Sequence, residues 1–90
     1  MKELKKEFQG RGEVKDYTFK QVSSSPYAYI YEVSNNFNRN IHYEVFKRKE
    51  NTYYNCISYP TSKGFGLWAW TKSDLTSAEY LFDELNIVLD

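Results

Sequence analysis

The sequence has very little of the residues that cross-link a chain or cage a metal ion. Its 90 residues include one cysteine, Cys56, and one histidine, His42. An internal disulfide and a Cys/His metal site are therefore both excluded. A lone cysteine is typical of proteins in a reducing compartment, so the sequence predicts a cytoplasmic location.

Long apolar runs and a net charge are also absent. Twelve Lys and Arg residues balance twelve Asp and Glu residues, which removes the strongly basic signature of proteins that bind bulk DNA or anionic membranes. We expect no secretory signal, no membrane span and no membrane partner. The charge is nevertheless uneven along the chain, because ten basic and six acidic residues occur up to Lys49, and two basic and six acidic residues follow it. This asymmetry fits either two oppositely charged faces or ordinary solvation.

Aromatic residues are abundant. Nine Tyr, six Phe and two Trp make up 19% of the chain, and 41% of all residues are hydrophobic. A chain of this composition can bury a core, so disorder is not expected. The length is that of one domain, spanning residues 1–90.

The order of the elements defines the fold class. Good helix formers predict a short helix over residues 1–9. A capping box at Thr76 and Glu79, followed by apolar residues at helical spacing as far as Leu89, predicts a C-terminal helix. Between them, apolar and turn-forming residues predict five strands, at 14–22, 27–34, 41–49, 52–59 and 65–71. The expected fold is α+β: one small domain with an antiparallel sheet and the C-terminal helix packed on one face.

A tight hairpin is expected in the middle of the chain. Only Glu50–Asn51 separates two predicted strands, and a two-residue loop there pairs Lys49 with Thr52 and Val45 with Cys56. A slip of one residue would move every side chain to the opposite face.

Apolar side chains occur on both faces of the predicted strands, whereas the C-terminal helix covers only one face. Either the N-terminal helix covers the second face, or that face contacts a partner. Tyr and Trp, which are enriched at interface hot spots, make the second alternative plausible on composition.

No arrangement of residues points to catalysis. His42 and Cys56 fall on opposite faces of the predicted hairpin, which argues against a thiol nucleophile. The sequence also has no phosphate-binding glycine loop, no supported pair of carboxylates and no metal-ligand spacing. We expect a protein that is not an enzyme and needs no cofactor.

The strongest candidate for a binding surface is the basic run at the predicted hairpin. Cations there would contact phosphates while nearby aromatic rings offer stacking faces, which is how sheet surfaces hold single-stranded RNA. The predicted partner-binding residues are Lys47, Arg48, Lys49, Tyr53, Tyr54, Phe46 and Tyr59. Changing the three basic residues to Glu is expected to weaken binding with little effect on stability. The alternative is a cluster of charges that keeps the hairpin edge from pairing with other chains.

Three strings in the chain resemble a pattern found in small proteins of bacteriophages and mobile elements. They are Y-E-V-F-K-R-K at 43–49, Y-P at 59–60 and F-G-L-W-A-W at 65–70. Proteins of this kind include anti-CRISPR inhibitors, and the resemblance implies an inhibitor of a type VI, RNA-guided RNA nuclease. Such a protein would act by stoichiometric binding to the effector or to its guide-RNA complex. Two alternatives remain open: a single-stranded RNA-binding module, and an interaction domain that self-associates, so that the protein is a monomer or a homodimer.

Overall fold

The computed structural model describes residues 1–87. Its elements, in chain order, are β1 (Glu7–Gln9), β2 (Tyr17–Ser24), β3 (Ala28–Asn35), β4 (Ile41–Lys47), β5 (Glu50–Asn51), β6 (Cys56–Ile57), β7 (Ala69–Lys72) and the helix α1 (Leu75–Leu85). Two short 3-10 helices, Gly12–Val14 and Ser62–Gly64, lie in the connections. The predicted α+β class is confirmed, with a five-stranded antiparallel sheet and one C-terminal helix.

The strand order of the main sheet is β1-β2-β3-β4-β7. The first four strands form a meander of antiparallel neighbours. β4 then pairs with β7, so that Phe46 lies opposite Ala69. The chain therefore leaves the main sheet after β4 and returns only at β7. We call the intervening residues, 48–68, the excursion.

One face of the sheet carries most of the core, and we call it the aromatic face. Its buried residues are Phe19, Tyr29, Tyr31, Val33, Phe46 and Ala69, together with Ile57 from the excursion. Partly buried side chains pack on them from the N-terminal segment, from β1 and β2, and from the excursion: Leu4, Phe8, Tyr17, Tyr59, Phe65 and Trp68. The opposite face is smaller, because it consists of Ile30 and Val45 packed against α1 through Ala78, Leu81, Phe82 and Leu85.

The expectation that an N-terminal helix covers the second face of the sheet was wrong, because residues 1–9 contain no helix. The excursion and the N-terminal segment cover this face. Residues 7–9 form strand β1 instead of a helix because Phe8 stacks on Phe19 of β2, with ring centroids 4.8 Å apart and an interplanar angle of 3°. Tertiary packing of this kind outweighs intrinsic helix propensity, which is worth less than about 1 kcal/mol per residue.

The central hairpin differs from the prediction in both position and register. Glu50–Asn51 is not the loop but the strand β5, which pairs with β6 so that Asn51 lies opposite Cys56. The turn is the four residues 52–55. The side chain of Asn51 stabilises this turn by accepting a hydrogen bond from the Tyr54 backbone amide at 3.1 Å, and Asn55 adopts φ 52°, a conformation that asparagine tolerates well. The predicted strand at 52–59 is thus reduced to two residues.

The last strand is shorter than expected. Residues 66–68 form a turn, and beside it the Gly66 amide donates to the carbonyl of Ala69 at 2.7 Å. Gly66 has φ +89°, a region that residues with a Cβ rarely adopt. Only Ala69–Lys72 continues as β7.

The helix begins two residues earlier than the capping box predicted. Asp74 is the N-cap, and its carboxylate accepts a hydrogen bond from the Ser77 backbone amide at 2.8 Å. Thr76, the predicted cap, lies inside the helix. The predicted helical positions Val88 and Leu89 lie outside the described residues. Across residues 1–87, no helix is both long enough and apolar enough to cross a membrane.

Candidate functional site

The hairpin formed by β5 and β6 presents two neighbouring tyrosines to solvent. Tyr53 and Tyr54 are 86% and 72% exposed, and their rings meet edge to face with centroids 4.8 Å apart. Both lie in the turn 52–55, outside the main sheet. We call this turn and its two rings the hairpin tip.

Lys49 immediately precedes this hairpin and is held over an indole ring. Its Nζ atom lies 4.9 Å from the centre of the Trp68 ring, a cation–π contact. The Trp68 ring is held in place by Phe46, which it meets edge to face with ring centroids 6.3 Å apart. Its other neighbour is Gly64, where an added Cβ would come within 2.8 Å of the indole. In the sequence, Trp68 was notable only as part of the string F-G-L-W-A-W. In the structure its ring packs against Phe46 and carries the exposed Lys49.

Arg48 is engaged differently from the two lysines beside it. Its Nη1 atom donates to both carboxylate oxygens of Glu3, at 2.9 and 3.1 Å, and to the hydroxyl of Tyr29 at 2.6 Å. The Tyr29 hydroxyl also donates to Glu3. The hydrogen bond from Tyr29, together with the contact to Arg48, lowers the pKa of Glu3 below its ordinary value. Arg48 thus ties the N-terminal segment to the core.

This network separates the three basic residues that the sequence grouped together. Lys47 and Lys49 are exposed, whereas Arg48 is half-buried. Exchanging Arg48 for Glu would place a second carboxylate beside Glu3, and the two like charges would repel each other. We therefore no longer expect the change of all three basic residues to Glu to leave the stability of the protein unaffected. A test of the charge near the hairpin should therefore vary Lys47 and Lys49 only.

Of the predicted partner-binding residues, one lies in the core and another packs against it. Phe46 is fully buried and stacks against both Tyr29 and Tyr31 of β3. The Tyr59 hydroxyl donates to Oε1 of Glu44 at 2.5 Å, and burial raises the pKa of Tyr59 far above its ordinary value. Neither side chain forms part of the surface near the hairpin tip. Residue type gave no signal of this difference, because exposed and buried tyrosines alike sit in aromatic-rich strings.

The two residues considered for nucleophilic chemistry, His42 and Cys56, lie in different sheets. His42 lies on β4 with its Nε2 atom 3.2 Å from Oε2 of Glu44, and the half-buried Cys56 lies on β6 in the separate hairpin. Within residues 1–87, no three His, Cys, Asp or Glu side chains are placed together to hold a metal ion.

The structure also contains a cleft of about 810 Å³ that the sequence did not indicate. Aromatic side chains of Phe8, Phe19, Tyr59 and Phe65 line it, with the carboxylate of Glu44 among them. These residues come from β1, β2, β4 and the excursion. Local sequence patterns cannot reveal such a site, because its walls meet only through long-range packing.

Comparison with known proteins finds no family model that matches this chain, no curated protein that matches its sequence and no solved structure that matches it.

Proposed function

We propose that this protein is a non-catalytic binding protein whose hairpin tip docks on a ribonucleoprotein partner. The single observation that carries the proposal is the pair of exposed tyrosines, Tyr53 and Tyr54, on a hairpin that stands outside the main sheet. The resemblance to anti-CRISPR inhibitors supplies the partner: a type VI, RNA-guided RNA nuclease with its guide RNA. Inhibition would be stoichiometric and would need no cofactor.

The chemistry of the tip suits a docking surface. A tyrosine ring buries a large area at a small cost in side-chain entropy, and its hydroxyl still finds a polar partner at an interface. The turn that carries the rings is fixed by Asn51, so little further ordering is needed on binding. Lys49 stands nearby on Trp68 and can contact phosphates of a guide RNA or acidic groups of the effector.

The proposal is tested by cleavage of target RNA by a type VI effector–guide complex, measured with increasing amounts of the protein. The double change Tyr53→Ala with Tyr54→Ala is expected to raise the half-inhibitory concentration by about 30-fold or more, because truncating a hot-spot residue costs about 2 kcal/mol or more. The matched control is Phe37→Ala. Phe37 is 81% exposed but lies in the turn between β3 and β4, at the opposite end of β4 from the hairpin.

Three results would contradict the proposal: no inhibition and no binding by the wild-type protein, unchanged inhibition by the double variant, or an equal loss with Phe37→Ala. Binding of single-stranded RNA alone, with an affinity that falls steeply as salt is raised, would instead favour the RNA-binding module. The second candidate rests on the same part of the chain, since the exposed tyrosines offer stacking faces and the exposed Lys47 and Lys49 precede the hairpin.

A further inference from the structure

The cleft on the aromatic face is a second site, separate from the hairpin tip. It is bounded by β1, by the 3-10 helix Gly12–Val14 and by the part of the excursion that begins at Tyr59. None of the turn residues 52–55 lines it. Its volume of about 810 Å³ falls in the range of pockets that hold small organic ligands, which is about 300–1,000 Å³.

Glu44 is the least exposed of the charged residues that line this cleft. Its side chain is only 14% exposed. The Oε1 atom accepts a hydrogen bond from the Tyr59 hydroxyl, and the Oε2 atom lies 3.2 Å from Nε2 of His42. No lysine or arginine among residues 1–87 forms an ion pair with it. A carboxylate oxygen has two lone pairs, so each oxygen retains the capacity for one more hydrogen bond. Buried charges in proteins are normally paired, so this largely buried carboxylate favours a cationic partner.

The walls of the cleft favour the same kind of partner. Phe8 and Phe19 lie parallel to each other, and Tyr59 meets both edge-on at 5.4 and 5.5 Å. Aromatic faces attract cations through their quadrupole and accommodate flat apolar bodies. A cation in the cleft would therefore gain from Glu44 and from the rings at once.

We propose that this cleft binds a flat organic cation: an amidinium or guanidinium group carried on an apolar body. The charged head would donate to the free lone pairs of Glu44, in the paired geometry that planar cations form with carboxylates. The apolar body would lie against the aromatic walls. Lys5, Arg11 and Glu13 also line the cleft but are exposed, so water and salt screen their charges more than that of Glu44.

Benzamidine is the probe, and its neutral isostere benzamide is the matched control ligand. Titrations at pH 8 are followed by the amide chemical shifts of Gly10 and Thr71, which line the cleft. We expect benzamidine to bind the wild-type protein at least tenfold more tightly than benzamide. The change Glu44→Gln, which keeps an oxygen acceptor for Tyr59 but removes the charge, should abolish that preference. The control change Glu13→Gln removes an exposed carboxylate of the lining and should leave the preference for benzamidine unchanged.

A capped arginine peptide, titrated in parallel, distinguishes the source of the cation. Tighter binding of the peptide than of benzamidine identifies a partner's side chain, and tighter binding of benzamidine identifies a small molecule. Absence of benzamidine binding, equal binding of benzamide, or an unchanged preference in a folded Glu44→Gln variant would overturn the proposal. If that variant does not fold, the affinities of benzamidine and benzamide for the wild-type protein still test the proposal: equal affinities would overturn it.

This site does not depend on the proposed function. The double variant Tyr53→Ala with Tyr54→Ala should bind benzamidine as the wild-type protein does, since neither residue lines the cleft. Loss of inhibition with retained benzamidine binding would therefore separate the two surfaces experimentally.

Discussion

The tyrosines of this protein differ in what their hydroxyl groups contact. Tyr29 contacts Glu3 and Arg48, and Tyr31 donates to the backbone carbonyl of Lys5 at 2.6 Å. Both therefore fasten the N-terminal segment across the aromatic face. Because side chains alternate along a strand, Tyr29 and Tyr31 of the predicted strand 27–34 belong on one face, and in the structure both lie on the aromatic face. The alternation could not predict which polar partners would meet them, because those partners come from a distant part of the sequence.

Tyr29 makes the protein sensitive to alkali. Burial, aided by the hydrogen bond to Glu3, raises its pKa to about 12, against about 10 in an unfolded chain. Between pH 10 and pH 12 the unfolded chain loses a proton that the folded chain retains, so the free energy of unfolding should fall as the pH rises. Urea denaturation at pH 9, 10 and 11 measures this decline. Tyr29→Phe should show a shallower decline, and Tyr53→Phe, at an exposed position, should follow the wild type.

The elements that the sequence predicted well are those whose pattern is local. Strands at 27–34 and 41–49 and a C-terminal helix were expected, and β3, β4 and α1 are present with similar bounds. β1 and the excursion were missed because they are determined by contacts with distant residues, such as Phe8 with Tyr59. The cleft was missed for the same reason. A hairpin was expected near residue 50, but its turn and register were wrong, because the turn at 52–55 depends on the side chain of Asn51.

The start of α1 provides a test in which sequence and structure disagree. Asp74 caps the helix through Ser77, whereas the capping box pointed to Thr76. Asp74→Ala should therefore lower the melting temperature, because it leaves an amide of the first turn without its acceptor. Asp74→Asn should retain most of the stability, and Thr76→Ala should have little effect. Thermal unfolding by circular dichroism compares the three variants, and a larger loss with Thr76→Ala would show that the cap lies at Thr76 after all.

Taken as a whole, the molecule protects the edges of its sheet by making them short. β1 has three residues and β7 has four, and a lysine–glutamate pair, Lys20 with Glu7 at 3.6 Å, lies across β1 and β2. Short, charged edges discourage a second chain from adding a strand. We therefore expect a monomer in solution.

Light scattering coupled to gel filtration tests this expectation. The measured mass should stay at the chain mass of 10.7 kDa as the concentration is raised through the micromolar range. A mass near twice that value would favour the self-associating alternative. A dimer that dissociates in the variant Tyr53→Ala with Tyr54→Ala would locate the contact at the hairpin tip, not at a sheet edge.

The length of the excursion leads us to expect that β7 joins the sheet after the other strands. β2, β3 and β4 are joined by connections of three and five residues, 25–27 and 36–40, so this meander can form through nearby contacts. β7 can join only after the 21 residues 48–68 have closed a loop. Tyr59, Phe65 and Trp68 belong to that loop, so the step that adds the last strand also covers the aromatic face. We therefore expect a chain in which β7 has not yet joined to expose part of the aromatic face to water, and exposed apolar surface of this kind promotes aggregation.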